Sequence, residues 1–171
     1  GGNVNGSGST YVAWNWKAGT TSVPSGGTIT PSAVSINTTS GFGVYQFTGN
    51  STGGATFAHG LGAAPKLVIV KNLVSGSDAW NVNLPFTSLG STGRLYLNTT
   101  SANSAAAAAW NSTVPTSTLI TLGSNGETNA SNAMIFYAFT PIRGYSAFGE
   151  YEGNGNVDGP FIYTGFRPAF V

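Results

Sequence analysis

Apolar residues fall at alternate positions in short runs, and clusters of Gly, Pro, Asn, Ser and Thr separate the runs. Residues 10–17 set Val12, Trp14 and Trp16 against Tyr11, Ala13 and Asn15, the pattern of a strand with one strongly apolar face. Residues 28–30 and 33–36 are two short strand candidates parted by Pro31. Residues 41–48 place Phe42, Val44 and Gln46 on one face, and Tyr45 and Phe47 on the other. Runs at 55–58 and 66–71 follow, divided by a Gly/Pro turn at 60–65. Leu67-Val-Ile-Val70 is apolar throughout and predicts a central buried strand. Further strand candidates lie at 79–82, 94–98, 106–110, 117–122, 134–140, 145–152, 161–163 and 169–171. Helical signal is confined to 102–110, where the Ala run reads as a strand or as a helical turn. Turn signals recur roughly every eight to twelve residues, as in sandwiches. The pattern predicts an all-β chain: an antiparallel, jelly-roll-like β-sandwich.

The chain also echoes itself. Phe47, Gly49, Asn50 and Phe57 are matched in register by Tyr151, Gly153, Asn154 and Phe161, and Pro65 by Pro168 after a one-residue deletion. Tyr11-Val-Ala-Trp-Asn-Trp16 resembles Met134-Ile-Phe-Tyr-Ala-Phe139. The echo predicts equivalent roles for 10–17 and 134–140, and for 45–70 and 148–171. It divides the chain into a flexible lead-in at 1–9 and a single sandwich domain at 10–171. A partial second repeat begins near 145, and the terminal strands belong to neighbouring repeat units. One β-domain per repeat suits modular, extended proteins.

Charged residues make up 6 % of the 171 residues, against about 25 % in ordinary soluble domains. Ser, Thr and Asn supply about a third of the chain, so the surface is polar but uncharged. Such a surface has little charge repulsion to keep copies apart. A net charge of +1 with scattered basic residues argues against nucleic-acid binding. The longest apolar run, 133–139, is far too short to span a membrane. The absence of Cys excludes disulfides and thiolate metal sites.

Few residues could carry chemistry. His59 is the only histidine, and a triad would need Asp78 or Asp158 to orient it. No Gly-x-Ser-x-Gly elbow supplies the nucleophile, so a residue packed in a turn is the better reading. Glu150 and Glu152 share a strand face, but adjacent carboxylates on one strand do not straddle a sugar ring. Asn154, Asn156 and Asp158 have the alternate spacing of a calcium loop, yet Gly165 stands where a bidentate Glu would close it. A Gly/Asn hairpin turn accounts for them better. Trp14 and Trp16 are expected in the core, since their repeat partners Tyr137 and Phe139 are aromatic too. Trp80 and Trp110, beside Asn81 and Asn111, are the candidates for stacking on a sugar ring. No cofactor is expected.

A set of motifs marks a family. It comprises Tyr11-Val-Ala-Trp-Asn-Trp-Lys-Ala-Gly19, Gly27-Thr-Ile-Thr30, Val34-Ser-Ile-Asn37, Gly41-Phe42 and His59-Gly-Leu-Gly-Ala-Ala-Pro-Lys-Leu-Val-Ile-Val70. The tail adds Gly144-Tyr-Ser-Ala-Phe-Gly-Glu-Tyr-Glu-Gly-Asn-Gly155 and Asp158-Gly-Pro-Phe-Ile-Tyr-Thr-Gly-Phe-Arg-Pro-Ala-Phe-Val171. Together they resemble the repeated β-rich module of marine bacteriophage tail-fibre and structural proteins, which often sits beside laminin-G-like jelly-roll domains. The resemblance implies a non-enzymatic structural module of a virion appendage, outside the cell, continued by a further unit. The expected partners are other copies of the chain, as a trimer or a head-to-tail fibre, and a host surface glycan. The alternative is a lectin-like, carbohydrate-binding module of a secreted or cell-surface protein. A polysaccharide depolymerase is the third reading.

Overall fold

A computed structural model describes residues 6–13 and 15–171. Nine strands and two helical turns form in chain order: β1 (Ala33–Asn37), β2 (Phe42–Thr48), β3 (Ala55–Ala58), β4 (Leu67–Asn72), β5 (Asn81–Asn83), β6 (Gly93–Tyr96), β7 (Ser104–Ala105), α1 (Ala107–Trp110), β8 (Leu119–Leu122), α2 (Gly126–Asn129) and β9 (Ala133–Phe139). Seven strands make one antiparallel sheet in the order β1-β2-β9-β4-β5-β6-β7, and β3 pairs with β8 in a second, small sheet. The fold is a β-sandwich of unequal sheets.

The most apolar strand lies inside the large sheet, next to the middle strand β4. β9 reads Ala-Met-Ile-Phe-Tyr-Ala-Phe and has a hydrogen-bonded neighbour on each side. Its register aligns Tyr45, Phe136 and Val70 on the face that meets the small sheet. The small sheet contributes Phe57, Ile120 and Leu122 to the same core. Phe57 lies 5.4 Å from Phe47, 5.5 Å from Tyr45 and 5.2 Å from Phe136, so one ring of β3 touches three of the larger sheet. Trp110 and Ala109 of α1 close one end of this core. There the chain approaches itself too closely for any side chain: a Cβ on Gly123 would overlap the Ala108 carbonyl.

The opposite face of the large sheet is apolar as well. Register places Phe42, Phe139 and Leu67 in one row across β2, β9 and β4, and Val44, Tyr137, Ile69 and Val82 in the next. Trp16 from the N-terminal segment lies 6.5 Å from Phe42 and 6.0 Å from Phe139. Phe148 lies 5.8 Å from Phe139, and Phe170 lies 6.2 Å from Trp16. The two ends of the chain thus meet over this outer face. β4 alternates buried Val68 and Val70 with half-buried Leu67 and Ile69, which explains its unbroken apolar run.

Several expected elements are not strands. Residues 10–13, 15–17, 145–152, 161–163 and 169–171 contain none, and 28–30 only approach β3. A strand exists only where a neighbouring backbone takes up its hydrogen bonds. The β1 edge is taken by Thr20, which exchanges both bonds with Ile36 at 2.8 and 2.9 Å. Pro160 and Pro168 further strip donors from the tail. The self-echo is therefore one of sequence alone in this chain: 45–70 contains the end of β2, all of β3 and the start of β4, while 148–171 contains no strand. Residues 106–110 resolve as the helical turn, not the strand. Trp14, expected in the core, falls outside the described residues.

Candidate functional site

His59 directly follows β3 and is fully buried. Its Nδ1 accepts from the Leu61 amide at 3.2 Å, so Nε2 carries the proton and donates to the Thr116 carbonyl at 3.1 Å. The Tyr45 hydroxyl donates to the His59 carbonyl at 2.5 Å. Burial lowers the His59 pKa, against the opposing pull of the Thr116 carbonyl, and burial raises that of Tyr45. A neutral imidazole with both nitrogens engaged and no solvent access is a structural group.

The other candidates separate. Trp110 is buried, and its indole Nε1 donates to the Gly93 carbonyl at 3.1 Å; it is a core residue and cannot stack on a ligand. Neighbouring Asn111 suggested exposure, but Asn111 takes the left-handed cap of α1 at φ 52°, which turns the chain out while the indole stays in. Trp80 is half-buried, stacked on Tyr137 at 6.2 Å and 24°. It keeps part of its surface at the margin of the outer face. Trp16 lies on that face rather than in the core between the sheets.

Asn154, Asn156 and Asp158 form a self-contained turn. The Asn156 amide donates to Asn154 Oδ1 at 2.9 Å, and the Gly159 amide to the Asn156 carbonyl at 3.0 Å. Gly155 and Gly159 take left-handed conformations at φ 67° and 62°. The side-chain oxygen of Asn154 is spent on the turn, and among the described residues no group of three His, Cys, Asp or Glu could hold a metal ion. Glu150 is likewise occupied: its carboxylate accepts from the Ser88 amide at 2.7 Å and from the Ser88 hydroxyl.

A shallow open groove of about 530 Å³ is lined by Lys17, Asn37, Thr39, Ser40, Ile142 and Tyr145. Asn37 shapes it, donating to the Lys17 carbonyl at 3.1 Å and accepting from the Thr39 and Ser40 amides. The exposed Tyr145 ring and Ile142 supply an apolar wall beside hydroxyls and an ammonium group. A family model described as "Domain of unknown function (DUF7483)" matches residues 1–171. The chain belongs to this family. No curated protein and no solved structure matches it.

Two features of the site were not visible in the sequence. The groove joins residues from three separate stretches of chain. The Glu150–Ser88 contact joins residues 62 apart, and no motif flags it. Among the described residues, no helix is long and apolar enough to cross a membrane.

Proposed function

We propose that this domain is a non-enzymatic structural module of an extended virion appendage, which assembles with further copies of itself. The observation that carries this reading is the tail. Phe161 is 90 % exposed and Tyr163 83 %, and Tyr151, Ile162 and Val171 are exposed too. No hydrogen bond joins residues 151–169 to the rest of the described chain. Exposed aromatic surface of this extent marks a contact site. The low charge of the chain removes the usual barrier to association. The resemblance of its motifs to phage fibre modules supports the virion setting. The buried His59 and the occupied Glu150 fit a role without catalysis.

Light scattering on eluting peaks tests the assembly. The full chain should run as an oligomer, and removal of residues 161–171 should release monomers. A full-length chain that stays monomeric refutes the reading. In that case binding to a glycan array, lost in Tyr145→Ala or Trp80→Ala, would favour the lectin-like alternative. The groove wall of Tyr145 and the partly open Trp80 ring recommend those two positions.

A further inference from the structure

The turn at 154–159 brings together the parts of a reaction that needs no enzyme. When glycine follows asparagine, no Cβ hinders the next main-chain nitrogen from attacking the side-chain amide. The pair Asn-Gly occurs at Asn5, Asn125 and Asn154. Asn5 lies outside the described residues, and the other two stand in opposite settings. Asn125 is half-buried at the start of α2, where its side-chain oxygen accepts from the Glu127 amide at 2.8 Å. Its own amide donates to the Ala108 carbonyl at 2.9 Å, and its carbonyl accepts from the Thr128 and Asn129 amides at 3.1 and 2.8 Å. Asn154 and Gly155 are exposed, and the Gly155 amide has no hydrogen-bond partner among the described residues. A Cβ on Gly155 would meet nothing within 4 Å. The bond that does reach this pair runs from the Asn156 amide to Asn154 Oδ1 at 2.9 Å. It leaves the amide nitrogen free to depart and puts a donor on the oxygen where charge develops when Cγ is attacked. Two neighbours in the same turn are worse placed. Asn156 precedes Val157, whose branched side chain crowds the attacking nitrogen, and Asp158 precedes Gly159, whose amide is held by the Asn156 carbonyl at 3.0 Å.

We infer that Asn154 is a site of spontaneous covalent modification: the folded chain deamidates there, and not at Asn125, to a mixture of aspartate and isoaspartate. The Gly155 nitrogen gives up its proton and bonds to Asn154 Cγ, closing a five-membered imide. The Cγ–Nδ2 bond breaks, and the nitrogen leaves with that proton as ammonia. Water then opens the ring. Cleavage of the new N–Cγ bond gives aspartate; cleavage of the original peptide bond gives isoaspartate, in which the main chain runs through the former side chain. The sum is amide plus water to carboxylic acid plus ammonia, with no change of oxidation state. Either product adds a negative charge to a chain whose formal net charge is +1, at a point between the exposed Tyr151 and Phe161. The reaction needs no second copy, so it stands or falls apart from the assembly reading.

The test is to age dilute native protein in mildly alkaline buffer, which favours loss of the Gly155 amide proton, and to map its peptides by mass spectrometry over time. The peptide with Asn154 should gain the mass difference between an amide and an acid, and part of it should accept a methyl group from an isoaspartyl methyltransferase. Conversion at Asn125 should be slower by at least about tenfold, the rate factor that breaking one ordinary hydrogen bond would impose. In denatured protein the two rates should converge, because only the folded chain separates them. Gly155→Ala should slow conversion at 154 and leave that at 125 unchanged. Equal rates at the two sites in native protein, faster reaction at Asn125, or an Asn154 that stays intact would each overturn the assignment.

Discussion

The two most buried titratable groups touch at one point, the His59 carbonyl, and they pull the stability curve from opposite sides. An unfolded histidine takes up a proton as pH falls through about 6.5, whereas buried His59 resists it. Its contribution is therefore complete above that value and declines as pH drops below it. Tyr45 is the mirror case. Its raised pKa leaves stability intact below the ordinary phenol value of about 10 and removes it above. The melting temperature should be flat between these limits and should fall from about pH 7 towards pH 5. In His59→Gln the acid-side fall should be smaller; an equal fall would show that His59 plays no part. The burial of His59 was legible from its place at a strand end before a Gly-rich turn. The burial of Trp110 was not, because an adjacent Asn says nothing about a ring whose one polar atom finds the Gly93 carbonyl.

At the scale of elements, Phe57 is the largest side chain by which the small sheet joins the core, beside Ile120 and Leu122. β3 and β8 pair over only four residues each, too little to stand alone in water. Phe57 anchors them to three rings of the larger sheet. Phe57→Ala should cost about 3–5 kcal/mol, measured by chemical denaturation, with a lowered midpoint and an unchanged slope. A cost under about 1 kcal/mol would mean that the core closes over the gap. The paired strands were legible because alternation with period two follows from having one face inward, as Tyr45 and Phe47 do. The terminal segments misled for a related reason. Alternating side chains show which way residues wish to face, but not whether a neighbouring backbone is there to bond. α2 was missed altogether. It is a single turn whose one sign is Asn125, accepting from the Glu127 amide at 2.8 Å.

For the whole molecule, an uncharged surface and an aromatic tail put the proposed association on apolar contact. Only one ion pair, Arg94–Glu127 at 2.9 Å, occurs among the described residues, and it lies within the chain. The proposed assembly should therefore persist as salt is raised from about 0.1 M to 1 M, where screening shortens from roughly 10 Å to 3 Å. Dissociation over that range, seen by light scattering, would require charged contacts that the composition does not supply. The place of β9 has a consequence for biosynthesis. The last of the nine described strands to be made is the one on which the large sheet closes, between β2 and β4. Until residues 133–139 leave the ribosome, those two strands wait with facing edges unbonded. Closure of the large sheet thus waits until residue 139 has been made. A message cut short before that point would yield a chain bearing two sticky edges and lacking the strand that fills the space between them.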